Sequence, residues 1–372
     1  MTPESPGNRH AGAVLALVFV LAPAVSITQE SRSLPETKIA AVERVVKAEV
    51  EKQELVGAAV GIIQDGADVY ASGFGLADRE KKSKATSHTV FNWASNSKPL
   101  ATVAAMQLVE QGKLDLDADV RKYVPEFPAR DRSITTRLLL CHVSGIPHYS
   151  NGKVIAAKNW PFQNEDDDPL GSLARFVESP LLFAPGERLS YSSYAYVLLS
   201  AVIQRAGGEP FPIQLRKRIA GPVGMKSLQW DTASTGQPHW AVGYVRSRTK
   251  EVVVAKEEAH AWKHGAGGFK SNVRDFAVFA AALMEPKLLK KETLEEMWTN
   301  QKTNDGKAIN YGLGFVVQRS RELTVSHGGS QPETKTQLVV EPKRRRGVVV
   351  MSNCGYANPV AITGVVWNAV WD

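Results

Sequence analysis

Strand-forming segments lie near the two ends of this chain, and the long middle between them is mainly helical. Near the start, residues 56–64 and 67–73 are apolar and flank Asp65-Gly66, a pair suited to the left-handed positions of a tight hairpin turn. Toward the end, 312–318, 323–326, 336–340 and 347–351 are strand-like. Residues 99–111, 135–142, 191–205 and 272–284 instead show helical periodicity, and a closing helix is predicted over 360–371. Strands need partners for their backbone polar groups, so the two ends are expected to build one sheet together. The expected fold class is α+β. An antiparallel sheet flanked by helices comes from residues 34–93 and 300–372, and a mainly helical domain over 94–299 is inserted into it.

The 372 residues, 43% hydrophobic, suffice for one large domain or two moderate ones. The net charge of +7 is spread along the chain apart from Lys343-Arg344-Arg345-Arg346, which sits between apolar segments with Pro342 before it and Gly347 after it. That run reads as a solvated turn. No nucleic-acid module accompanies the charge, so nucleic acid is not an expected partner. Residues 1–26 carry Arg9 and His10, an apolar stretch over 11–25, and small residues at Ala22, Ala24 and Ser26. This is a signal-peptide pattern. It falls short of the roughly 20 residues a spanning helix needs, so a secreted or periplasmic protein is expected, without stable membrane insertion after cleavage. Two cysteines cannot form a disulfide framework. Cys141 follows Leu138-Leu139-Leu140 and reads as a buried thiol, with a single bridge to Cys354 left open.

Ser33-Leu34-Pro35-Glu36 has capping-box spacing ahead of Ile39, Val42, Val46 and Val50, which predicts an N-terminal helix capped by Ser33. Residues 149–169, with Glu165-Asp166-Asp167-Asp168, form the longest irregular segment, readable as a solvated loop or a flap over the site.

A serine hydroxyl needs a base to become nucleophilic, and a lysine serves only where the neutral amine is favoured. Ser-x-x-Lys at a helix start places both on one face. The pattern occurs at Ser95, Ser150 and Ser247. Ser150 precedes the turn pair Asn151-Gly152, and Ser247 follows the alternating Val242-Gly243-Tyr244-Val245. Ser95 opens an amphipathic helix, with Pro99 in its first turn and Gly112 as its stop, and reads equally as a helix cap or a nucleophile.

Phe91-Asn92-Trp93-Ala94-Ser95-Asn96-Ser97-Lys98 resembles the active-site segment of class C beta-lactamases, penicillin-binding carboxypeptidases and related esterases. Further segments resemble that family in order: Leu139 to Pro147, Phe183-Ala184-Pro185-Gly186 with Tyr191-Ser192-Ser193, His264 to Phe269, and His327-Gly328-Gly329-Ser330. Residues 112–117, 123–128 and 135–139 are most like the branch containing the mitochondrial serine beta-lactamase-like protein and its bacterial relatives, which is regarded as peptidase-like.

The resemblance implies a serine hydrolase acting through an acyl-enzyme on a small-molecule or peptide substrate. Ser95 is the implied nucleophile, Lys98 and Tyr191 share proton transfer, and the backbone N–H groups of Ser95 and Ser330 hold the oxyanion. His327 stands where many relatives carry lysine, as a carboxylate holder or proton-network member whose charge follows pH. Gly328 and Gly329 fit close backbone approach to substrate. Tyr149-Ser150-Asn151 is a literal rival for the second motif. Tyr191 is preferred because it is expected to begin a helix, at the cost of Ser193 standing where the family carries an amide. Beta-lactamase, peptidase and esterase specificities are all open, and a catalytically silent binding protein for peptides or cell-wall fragments is the alternative. No cofactor is expected. His260 and His264 are four apart, but the glycines after them argue against a helical metal site. His142 and His148 flank a Ser-Gly turn and read as structural.

Overall fold

The computed structural model describes residues 1–2, 33–162, 168–232, 239–256 and 258–372. The signal-peptide reading and the acidic stretch 165–167 lie outside the described residues. Arg32–Asp372 forms one compact unit.

The main sheet has seven antiparallel strands in the spatial order β3-β2-β1-β12-β11-β10-β9. Three come from the beginning of the chain: β1 (Gly57–Gln64), β2 (Ala67–Asp78) and β3 (Ser83–Lys84). The other four come from its end: β9 (Val316–Arg319), β10 (Leu323–Gln331), β11 (Thr334–Glu341) and β12 (Arg346–Ser352). The ends meet where Ala58–Ile63 of β1 pair with Gly347–Ser352 of β12. Asp65 and Gly66 both take positive φ, as the tight β1–β2 turn demands. A second sheet joins β4 (Val90–Asn92), β8 (Phe269–Asn272) and β5 (Gln229–Trp230), and β6 (Tyr244–Arg246) pairs with β7 (Val252–Val254).

The central strands are apolar on both faces because both faces are covered. Ala58, Val60 and Ile62 with Val348 and Val350 pack toward α1 (Glu36–Lys52) and α10 (Pro359–Trp371). Ala59, Ile63, Val349 and Met351 face the larger core, which contains α8 (Val273–Leu283). A Cβ on Gly61 would lie 2.8 Å from Val349 and 2.9 Å from Ala277, so only glycine lets α8 sit this close to the sheet.

The segment between the two strand groups carries α2 (Ser97–Glu110), α3 (Thr136–Leu140), α4 (Pro169–Ser172), α5 (Ser193–Gly207), α6 (Phe211–Leu215), α7 (Gly221–Val223), α8 and α9 (Lys291–Met297). α2 is buried along nearly its whole length, and α5 packs against it.

Local chemistry moved several predicted boundaries. Pro35, not Ser33, precedes α1, with no side-chain cap; its backbone holds φ −54° and Leu34 is buried beside it. Residues 312–315 form a turn rather than a strand, since the Gly312 N–H donates to Phe315 O and Gly314 takes φ +79°. The basic run forms the expected turn between β11 and β12, with Arg345 left-handed and Arg346 opening β12. Its charges are paired with Glu322, Glu341 and Glu285. Cys141 and Cys354 are both buried free thiols, and burial pushes the Cys141 pKa up to about 12. Among the described residues no helix is long and apolar enough to cross a membrane.

Candidate active site

Ser95 sits in a short 3-10 turn, Ala94–Asn96, between β4 and α2. α2 begins only at Ser97, and its cap residue, Asn96, makes no side-chain cap bond, so Ser95 is not the helix cap the sequence allowed. The turn is tight enough to hold Ala94 at φ +48°, a conformation costing about 1–3 kcal/mol for a residue with a Cβ. Three anchors hold it there. The Asn92 side chain accepts the Ala94 N–H at 2.7 Å, the Trp93 N–H donates to Phe269 O at 2.8 Å, and the Trp93 indole donates to Ser271 at 2.7 Å.

Lys98 lies one turn beyond and is fully buried. Its Nζ is 3.2 Å from Ser95 Oγ, 3.2 Å from Ser193 Oγ and 2.7 Å from Ala266 O. The carbonyl can only accept, so one amine hydrogen is committed to Ala266. Burial, aided by the field of Lys263, drives the Lys98 pKa well below its ordinary value. A neutral amine has two hydrogens and one lone pair. With the hydrogens on Ala266 and Ser193, the lone pair faces the Ser95 hydroxyl.

Tyr191 was expected to begin α5 but precedes it. The Ser192 hydroxyl accepts the Ala195 N–H at 3.1 Å and caps the helix, so Ser193 is its first residue. Tyr191 still belongs to the site: its ring lies 4.8 Å from Lys98 Nζ, its phenol faces Ser95, and burial raises its pKa. The rival motif places Asn151 in a turn, where it accepts the His148 N–H at 2.6 Å and donates to Ser190. The other two Ser-x-x-Lys serines are elsewhere: Ser150 is exposed in a turn, and Ser247 bonds Thr249 in the β6–β7 hairpin.

β10 supplies the opposite wall. β9 pairs with it only over Leu323–Ser326, so from His327 onward that edge is free, and it packs against the Ala94–Asn96 turn. A Cβ on Gly329 would fall 2.1 Å from Thr336 Oγ1 and 2.5 Å from Trp93 O, whereas one on Gly328 would come no closer than 3.2 Å to the end of the Gln337 side chain. Thr336 and Asn96 complete the seam, Thr336 Oγ1 donating to Trp93 O at 2.9 Å and Asn96 to Thr336 Oγ1 at 2.7 Å. Ser330 is exposed on this edge, its hydroxyl accepting from Lys335.

His327 is buried, with Nδ1 2.8 Å from Gly328 O and Nε2 3.0 Å from the Tyr311 hydroxyl. The carbonyl makes Nδ1 the protonated nitrogen, so Tyr311 donates to Nε2. Burial and the nearby Lys98 lower the His327 pKa to about 3. The ring is therefore neutral near pH 7, which corrects the expectation that its charge follows pH there and removes the ionic means of holding a carboxylate.

Ser95, Tyr191, Ser193, His327, Gly328, Gly329 and Ser330 all line one cavity of about 810 Å³. His148, Tyr149 and Tyr311 line it too. His148 accepts the Ser193 N–H at 3.1 Å through Nδ1, and burial lowers its pKa to about 4, so it is a wall of the site rather than only a turn residue. His142 Nδ1 accepts the Ser192 N–H at 3.2 Å, and its ring packs 4.2 Å from that of Tyr191. His260 and His264 diverge: one bonds Glu333 and Lys263, the other Ser172. No cluster suited to a metal ion exists among the described residues.

The family model described as Beta-lactamase matches residues 42–365. The chain belongs to the beta-lactamase family. It is 28% identical over 309 residues to a penicillin-binding protein of Bacillus subtilis, covering 78% of this chain and 66% of that one. It is 28% identical to the mitochondrial serine beta-lactamase-like protein of Homo sapiens, covering 77% and 69%. The chain thus spans about two thirds of the length of these relatives. The octameric penicillin-binding protein homologue from Pyrococcus abyssi superposes with a TM-score of 0.73 at 25% identity, covering 89% of this chain and 76% of that one. The beta-lactamase-like fold expected from the sequence is the fold observed.

Proposed function

We propose that this chain is a serine hydrolase that acts through an acyl-enzyme on an amide, peptide or ester carbonyl. The observation that carries the reading is the buried Lys98 amine, 2.7 Å from Ala266 O and 3.2 Å from both Ser193 Oγ and Ser95 Oγ, so that a neutral amine donating to Ala266 and Ser193 turns its lone pair to the Ser95 hydroxyl. Family membership supports the same chemistry.

In the acylation step Ser95 Oγ bonds to the substrate carbonyl carbon as its proton passes to Lys98. The backbone N–H groups of Ser95 and Ser330 receive the oxyanion, a contribution on the order of 10²–10³ in rate for each such donor. Collapse breaks the carbon–nitrogen or carbon–oxygen bond. The proton returns to the leaving group by way of Tyr191, whose raised pKa keeps it a phenol able to donate. Water then attacks the acyl-enzyme along the reverse route, releasing the acid and restoring Ser95. His327 acts as a positioning residue, holding Tyr311 and the Gly328 carbonyl in place. The N-terminal pattern supports action outside the cytoplasm.

The test is covalent labelling of the purified protein by an alkyl fluorophosphonate and a fluorescent penicillin, with the modified peptide located by mass spectrometry. Label on Ser95 that disappears in Ser95→Ala is expected. A wild-type protein that takes neither reagent would sink the reading.

A further inference from the structure

The cavity beside Ser95 has a chemical peculiarity: among the described residues its lining contains no lysine, arginine, aspartate or glutamate. Leu189, Ile309, Val316 and Pro359 make an apolar wall, faced by Tyr149 and Tyr311. Resting on the hydrolase reading above, we infer that this cleft selects substrates with no charge near the scissile carbonyl. These are esters or amides with apolar acyl groups, in preference to beta-lactams or peptides bearing a free carboxylate.

Neither histidine of the lining offers a cation to a carboxylate. The His327 ring gives Nδ1–H to Gly328 O and accepts from Tyr311 through Nε2. His148 accepts from Ser193, and burial keeps both rings uncharged near pH 7, at about 3 and about 4. Two lysines stand outside the lining. Lys263 lies behind the Tyr149 ring with its amine 2.9 Å from His260 Nδ1, and Lys335 is engaged by the Ser330 hydroxyl. The start of α10 reaches the cavity through Pro359, which has no N–H, and the Asn358 side chain already accepts the Ala361 N–H. A carboxylate deep in this cleft would lose hydration with no ammonium or guanidinium among the lining residues, and burying an unpaired charge is costly.

The discriminating pair is 4-nitrophenyl butyrate and the 4-nitrophenyl monoester of succinic acid, which share a leaving group and differ at the chain end by methyl against carboxylate. The expected kcat/KM ratio favours butyrate on the order of 100-fold. Gln337→Lys, which places an ammonium on the cavity wall opposite Gly328, is expected to narrow that ratio by about tenfold. Fluorophosphonate labelling of Ser95 is scored in parallel because it does not depend on a carboxylate. A labelled enzyme that turns over the succinate ester as well as butyrate overturns the inference and leaves the hydrolase reading standing. So does a labelled enzyme whose succinate turnover collapses in Lys335→Met, since Lys335 would then be a working carboxylate anchor. Absence of label overturns both.

Discussion

The Lys98 amine meets the Ser193 hydroxyl at 3.2 Å, so a serine occupies the place where related enzymes carry an amide and still supplies an acceptor. Ser193 can do this because it is the first residue of α5, fixed by the Ser192 cap and by its own N–H on His148. Ser193→Ala leaves the amine one acceptor short and free to turn from Ser95. The expected result is about tenfold slower fluorophosphonate labelling, equivalent to about 1.4 kcal/mol, with recovery in Ser193→Asn. An unchanged rate in Ser193→Ala would mean that Ala266 alone orients the amine.

Lys98 also sets a pH dependence. Its pKa in the folded protein is well below the ordinary 10.5 because the amine is buried and Lys263 repels its charge. Acylation needs the neutral amine, so the labelling rate should climb with pH through a midpoint well below 10.5 and then level off. Lys98→Arg, which stays protonated, should show no such limb. Between the folded and ordinary values the unfolded chain binds the extra proton, so folding stability rises with pH across that window. Urea unfolding of wild type against Lys98→Met should show wild type gaining relative stability up to about pH 10.5, by at most about 1.4 kcal/mol per pH unit. A constant difference would show that Lys98 is not neutralised by folding.

How much of this was legible in the sequence depends on the distance over which each feature is decided. The β1–β2 hairpin was readable because Asp65 and Gly66 set it locally. Ser95 and Lys98 were readable because their spacing alone places the amine on the hydroxyl, and the family pattern then chose Ser95 over Ser150 and Ser247. The boundary of α5 was misplaced because the apolar periodicity runs on to Tyr191, while the Ser192 hydroxyl, by accepting the Ala195 N–H, starts the helix at Ser193. Tyr311, His148 and the Ala266 carbonyl were missed as parts of the site. A tyrosine in a loop has no periodicity, and Ala266 O is delivered by a backbone turn at His264, whose φ of +44° no local propensity predicts. The neutrality of His327 is likewise a product of tertiary burial.

Buried histidines give the protein an acid limit. Burial lowers His148 to about 4 and both His264 and His327 to about 3. From pH 6.5 down to these values the unfolded chain takes up protons that the folded chain refuses. The stabilisation is complete above pH 6.5 and is lost as pH falls through that window, by at most about 1.4 kcal/mol per pH unit for each histidine. Urea midpoints measured from pH 7 to pH 4 should therefore fall steadily. His264→Gln, whose amide can still bond Ser172, should flatten the fall. A midpoint insensitive to pH over that range would contradict the burial of these rings.

The two glycines after His327 should respond unequally to the same methyl group. At Gly329 the new Cβ would fall 2.1 Å from Thr336 Oγ1 and 2.5 Å from Trp93 O, a backbone atom in the strained turn that carries Ser95, with Ala94 Cβ 3.2 Å away. Trp93 O cannot retreat freely, because Trp93 is tied to Phe269, Ser271 and that same Thr336 hydroxyl. Strain from overpacking costs about 1–3 kcal/mol, and here it displaces the nucleophile relative to Lys98, so labelling should fall by about 100-fold. At Gly328 the nearest atom is the mobile end of Gln337 at 3.2 Å, the residue is exposed and its φ is not left-handed. Gly328→Ala should therefore keep its thermal midpoint within about a degree and lose labelling rate by no more than a few-fold. Equal losses at the two positions would show that β10 approaches substrate rather than the nucleophile turn, and would move the tight contact from Trp93 to the ligand.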